Sequence, residues 1–189
     1  MLTENRWALK EWAGVCAGLA TGKSCLILRK GGIREEHDQF LPEHEECWLY
    51  PTQFHQTIDQ FGQDFSELSE QKFILPAISG TLQLQIYAEI VQVFQVGDTQ
   101  ILDKILPYQL LSRQVIHQRF DYKAPGLCGL ILKCHQINQP VTLPELNQYA
   151  GCKSWVELTE CVSTKNLIPV LEESRFVHNL HEINRILTN

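Results

Sequence analysis

Residues 82–96 read LQLQIYAEIVQVFQV, with apolar side chains at every second place from Leu82 through Leu84, Ile86 and Ala88 to Ile90. A period of two belongs to a β-strand, because successive side chains point to opposite sides of an extended backbone. After Ile90 the alternation slips by one and resumes at Val91 and Val93. One extra residue in an alternating run is what a β-bulge inserts, and a bulge bends a long strand. A strand of this length with a bend in it fits a curved antiparallel sheet or a small barrel better than the flat strands of a doubly wound fold.

The other segments fill in around that strand. Residues 4–20 predict a helix, with Ala8, Trp12, Val15, Cys16 and Leu19 at spacings of three and four and Thr21-Gly22 as its stop. Ser24–Arg29 is a short apolar strand, Ile33–Glu46 a polar loop, and Cys47–Tyr50 a second strand broken by Pro51. Residues 55–69 suggest a helix with Ile58, Phe61, Phe65 and Leu68 on one face, followed by a turn region at Pro76 and Gly80. Short helices are expected over 100–106 and 109–119, around Pro107. A buried strand follows from Leu127 to Ile137, closed by Pro140, then a short helix over Pro144–Ala150 stopped by Gly151. Trp155–Leu158 is the last strand and Glu172–Leu187 an amphipathic helix. The expected fold is mixed α/β of the α+β kind: a curved, mostly antiparallel sheet or small barrel with flanking helices. No repeat or linker interrupts the chain, so residues 1–189 are read as a single domain.

Charge limits the function classes. Sixteen basic residues against twenty-two acidic ones give a net charge of -6, which argues against broad, non-specific binding to a phosphate backbone. Any anion site must be local. Seven cysteines, an odd number scattered along the chain, do not form a disulfide framework and suit a reducing compartment. The first ten residues do not resemble a signal peptide, and no run approaches the roughly 18 apolar residues needed to cross a bilayer. A cytoplasmic protein without membrane insertion is expected.

Four segments carry candidate chemistry. Arg29-Lys30-Gly31-Gly32 follows a strand; the glycines could turn backbone N–H groups into an anion-binding nest while the cations hold phosphate. A tight turn ending the strand is the plain alternative. Glu35, Glu36, His37, His44, Glu45 and Glu46, with Cys47 and His55, crowd the polar segment. His44-x2-Cys47 has a usable metal spacing, but no second pair follows and HExxH is absent, so neither a metal site nor a cofactor is expected. Thr52, His55 and Gln56 could line a pocket, with Thr52 equally suited to cap a helix. Gln118-Arg119-Phe120-x-Tyr122 and Lys153-Ser154-Trp155 combine cations with aromatic faces that could stack on unpaired bases, or else lend Phe120 and Trp155 to the core. Cys152 beside Lys153 lacks an assignable His or Asn partner for catalysis. The acid-x-Lys triplets Glu70-Gln71-Lys72 and Asp121-Tyr122-Lys123, which could serve a Mg²⁺ nuclease, fall outside the expected strands.

WALKEWA at 7–13, LILRKGGIREE at 26–36, LYPTQFHQ at 49–56, QRFDY at 118–122 and YAGCKSWVEL at 149–158 together resemble the family of domain of unknown function 1802, known mostly from cyanobacteria. That family has no settled activity, although it has been associated with restriction-type nuclease domains. A looser resemblance, resting on the long strand at 82–96 and the later one at 127–137, is to the PUA-like superfamily with its ASCH and EVE domains. It implies a small curved barrel of the kind that often reads RNA or modified bases. The leading expectation is an accessory domain binding a nucleotide or short RNA or DNA, with Arg29, Lys30, Gly31, Gly32, His55, Gln56, Arg119 and Lys153 around one pocket. An enzyme or nuclease-system component using the Glu35–His55 cluster remains open, as does a structural protein–protein interaction domain with a large exposed apolar patch.

Overall fold

The computed structural model describes residues 1–30, 41–53, 57–62 and 80–188. Seven strands among them form one sheet in the order β2-β5-β4-β3-β1-β6, with β7 paired to β5. The strands are β1 (Glu4–Trp12), β2 (Leu26–Arg29), β3 (Glu46–Thr52), β4 (Thr81–Val96), β5 (Leu127–Pro144), β6 (Trp155–Ser163) and β7 (Ile168–Pro169). All pairs are antiparallel except β1 with β3. The helices are α1 (Ala13–Ala20), α2 (Thr99–Ile105), α3 (Arg113–Asp121) and α4 (Glu173–Thr188). Among the described residues, no helix is long and apolar enough to cross a membrane.

The bulge read from the sequence is present. Pairing between β4 and β5 shifts register between Ile90 and Gln92, leaving Val91 as the extra residue, and shifts again between Leu84 and Ile86. The second shift divides the apolar alternation. Leu82 and Leu84 join a cluster with Ala8, Trp48, Tyr50, Tyr87, Tyr149 and Leu158 on one face of the sheet. Ile86 and Ala88 join the larger cluster on the other face, with Leu9, Leu49 and Leu130 and residues of all four helices. Beyond the first bulge the expected apolar face is corrected: Val91 and Val93 are 45% and 40% exposed, and Phe94 and Val96 pack on the larger cluster instead. Gly129 lies opposite Phe94 in the ladder; a Cβ there would stand 2.3 Å from the Phe94 ring, so glycine makes room for the aromatic side chain.

Other expectations are corrected by pairing that the sequence does not show. Residues 4–20 are not one helix: β1 takes the first nine and α1 the last eight. β1 lies between β3 and β6, so both its edges are paired, and tertiary pairing overrides the apparent helical spacing. Two prolines expected to end strands do not. Pro140 falls in the irregular stretch between Gln136 and Val141, where β4 offers no ladder partner, and Pro51 lies where β3 has β1 beside it but β4 has already diverged. Neither site asks for the N–H that proline lacks. The expected helix over 144–150 is a 3₁₀ turn at Asn147–Tyr149; of the helix expected over 55–69 the described residues include Ile58–Gln60, a 3₁₀ turn, and most of the rest lies outside them.

The sheet ladder stays open among the described residues, with β2 and β6 at its two ends. Its curvature nevertheless brings those ends together. The Arg29 guanidinium at the end of β2 donates to the Lys10 carbonyl on β1 and to the Ser154 hydroxyl just before β6.

Candidate functional site

The last residues of β1 start the site. On a strand, Lys10 and Glu11 point to opposite faces. Glu11, 6% exposed, accepts from Arg29 at 2.8 Å, and its own carboxylate accepts from the Trp12 amide. Arg29 also donates to Lys10 O at 2.9 Å and Ser154 Oγ at 3.2 Å. The Thr52 hydroxyl at the end of β3 donates to Glu11 O at 3.2 Å. Arg119, in the last turn of α3, lays its guanidinium over the Trp12 ring at 4.4 Å and donates to Leu28 O at 3.4 Å. Lys30 reaches into the turn after α3, donating to Phe120 O, Ala124 O and Gly126 O. On the opposite face Lys10 donates to Tyr149 O and Gly151 O and stands 5.4 Å from the Tyr50 ring centre. Lys153 donates to Gln148 O at 2.7 Å.

Five cations, Lys10, Arg29, Lys30, Arg119 and Lys153, therefore occupy one end of the sheet of an acidic protein. Burial is the main influence on the titration of two of them, and like charge adds to it. Burial, reinforced by Lys153, holds the Lys10 ammonium below its ordinary value, with Glu145 and Cys152 pulling the other way. Burial also lowers Arg119, with Arg29 adding to the effect and Glu11 opposing it. Holding like charges together is costly in the free protein, and a bound anion would relieve that cost.

Four of the residues singled out from the sequence, Arg29, Lys30, Arg119 and Lys153, are brought to this end. Gly31, Gly32, His55 and Gln56 lie outside the described residues. Arg29 is an internal tie held by a carboxylate and a carbonyl, while Lys153 is exposed. Thr52 bonds across to β1. Phe120 and Trp155 are buried, as the plain reading had them. Sequence reasoning missed Lys10, Glu11 and Trp12. All three stand in WALKEWA, but reading that stretch as helix hid that the two charged residues serve different faces. Each of the five stretches quoted above contributes to this network, through Glu11, Arg29, Thr52, Arg119 and Ser154.

The polar segment disperses where it is described. His44 is stacked on Trp7. The Cys47 thiol is fully buried, and burial pushes it up to about 12. Glu46 accepts from Tyr87 OH and from the Leu2 amide. Among the described residues no group of three or more His, Cys, Asp or Glu could hold a metal ion; Glu35, Glu36, His37 and His55 lie outside them. The triplet at Asp121–Lys123 straddles the end of α3, where Lys123 has φ 60°, so it is not on a strand. The triplet at Glu70–Lys72 lies outside the described residues.

A family model described as domain of unknown function (DUF1802) matches residues 8–182. No curated protein matches the chain. Among solved structures the chain is similar to ASCH from Zymomonas mobilis, at 14% identity and a TM-score of 0.47 over 93% of this chain and 92% of that one. Two single-residue mutants of the Zymomonas mobilis protein match over 80% of this chain, and over 87% and 88% of theirs, at 11% and 13% identity with TM-scores of 0.48. At this level of likeness no residue role passes from those structures to this chain.

Proposed function

The chain belongs to the DUF1802 family, and we propose that it is a binding domain for a nucleotide or a short single strand of RNA or DNA, engaged at its cationic end. The observation that carries this reading is the grouping of Lys10, Arg29, Lys30, Arg119 and Lys153 at one end of a chain of net charge -6. The division of labour follows from their partners. Arg29 and Lys30 are committed to internal acceptors and build the end of the sheet. Lys153, exposed on its loop, and Lys10 beside it supply the charge that meets phosphate. The reading takes residues 1–189 as one binding unit working in the cytoplasm, where the exposed thiols of Cys152 and Cys161 would stay reduced.

Anisotropy titration of a fluorescein-labelled single strand of about eight nucleotides, within the span of single-strand binding sites, tests it. Binding at low ionic strength should weaken steeply with added salt, and Lys153→Ala should weaken it several-fold. Absence of binding at low salt, or indifference to Lys153→Ala, contradicts the proposal.

A further inference from the structure

Trp7 of β1 lies against the His44 ring with centroids 4.1 Å apart and planes 22° from parallel. Trp155, at the start of β6, meets the same imidazole edge-on at 5.0 Å and 81°. Trp7 and His44 are half-buried; Trp155 is 7% exposed. Two polar atoms of this group, His44 Nε2 and Trp155 Nε1, are buried without a hydrogen-bond partner. Such atoms are uncommon in folded proteins and call for a reason. Burial, opposed by Glu43, keeps the His44 pKa below its usual value, so the ring is neutral at pH 7. A neutral heteroaromatic ring lying on an indole face has the geometry of a stacked nucleobase.

We propose that the Trp7 face now covered by His44 is a seat for one unpaired nucleobase. The base displaces the imidazole, stacks on Trp7 with Trp155 against its edge, and accepts the Trp155 N–H on a ring nitrogen or carbonyl oxygen. Once displaced, His44 regains water at Nε2, so both unpaired atoms gain partners. No bond is made or broken. The seat adjoins the cationic end, because Trp155 follows Ser154, which holds Arg29, and Lys153. This inference rests on the nucleic-acid reading above and adds the base to the phosphate.

Adenosine, which carries no phosphate, separates the seat from the cations. It would be titrated into the full-length chain while the four indole N–H signals are followed by NMR. A saturable shift of the Trp7 and Trp155 signals is expected, with those of Trp12 and Trp48 still. His44→Ala should tighten adenosine binding several-fold, because nothing then has to be displaced, and Trp7→Leu should abolish it. Trp155→Phe, which keeps a ring and removes the N–H, should weaken it a few-fold. An unchanged thermal melt qualifies each variant, and His44→Ala, at a half-buried surface ring, is the arm least exposed to misfolding. No saturable shift at millimolar adenosine, or unchanged or weaker binding by His44→Ala, overturns the seat. An abasic oligonucleotide that still binds with steep salt dependence while adenosine fails would remove the seat and leave the cationic reading standing. Adenosine binding without oligonucleotide binding would support the seat and remove the cationic reading.

Discussion

β1 and β3 run parallel, so their two starts share one end of the sheet and their two finishes share the other. The starting end is acidic and the finishing end cationic, and they are stabilised differently. At the acidic end the Glu46 carboxylate is served by Tyr87 OH at 2.8 Å, the Leu2 amide at 2.8 Å and the N-terminal ammonium at 3.3 Å, while Asn5 donates to Tyr87 OH and to Glu46 O. Beside it, Glu89 pairs with the buried His135 at 2.7 Å. Each of these carboxylates has found donors within the fold. At the cationic end Glu11 answers Arg29, while the hydrogen bonds described for Lys10, Lys30, Arg119 and Lys153 run to backbone carbonyls. The first end is an internal network that satisfies itself. The second gathers, among the described residues, five cations around the buried Glu11 carboxylate.

The sharpest way to break this contrast is to remove the Arg29–Glu11 ion pair at the cationic end. Arg29→Met leaves Glu11 buried without its partner, and loss of one member of a buried pair costs about 3–5 kcal/mol. Urea unfolding should show a loss of that order, and a loss near zero would mean that Arg29 does not tie the curved sheet together. At the acidic end Tyr87→Phe deletes a hydroxyl that both donates to Glu46 and accepts from Asn5. A cost of about 1–3 kcal/mol is expected for the polar groups left behind. If this loss matched that from Arg29→Met, the two ends would not differ in kind.

pH sharpens the comparison further. Burial pulls the Glu46 carboxyl up, but the Leu2 amide, Tyr87 OH and the N-terminal ammonium together bring it below its ordinary value of 4.5. Its stabilising contribution is therefore complete above about that pH and is lost as pH falls through the lower folded value. Glu46→Gln should flatten the acid limb of a stability–pH profile. Lys10 has the opposite sense: with its folded value below 10.5, the unfolded chain binds the proton more tightly, so stability rises with pH across the interval up to 10.5. Lys10→Met should remove that alkaline rise, and an unchanged profile would mean that Lys10 is not under strain. The smallest effect is expected for Lys153→Ala. Stability should move by no more than about 0.5 kcal/mol, as for an ordinary surface site, and upward if relief of Lys10 outweighs the lost bond to Gln148 O.

Legibility in the sequence followed the range of the interactions. The bulge at Val91 showed as a slip in a local alternation, because a bulge is a property of one strand and its neighbour. The fate of β1 did not show: Ala8, Trp12 and Leu19 match a helical spacing, and only the flanking β3 and β6, tens of residues or more away, make residues 4–12 extended. Pro51 and Pro140 misled for the same reason, since whether a proline ends a strand depends on which neighbour needs its N–H. Within the site, residue type marked Arg29, Lys30, Arg119 and Lys153 as candidates. Their commitments were hidden, because Glu11, Ser154 and the carbonyls after α3 reach them through the fold. The stack of Trp7, His44 and Trp155 left no local signature, since three separate segments each supply one ring.

The central claim is that binding belongs to the cationic end and not to the acidic one. Its most direct test is the salt dependence of affinity for the labelled single strand, measured for the wild type, Lys153→Gln and Glu46→Gln side by side. A lysine that neutralises one phosphate contributes about 0.7 to the slope of log affinity against log salt on a single strand. Lys153→Gln should lower the slope by about that amount, while Glu46→Gln leaves slope and affinity as in the wild type. A slope unchanged by Lys153→Gln, or an affinity that responds to Glu46→Gln instead, would contradict the assignment.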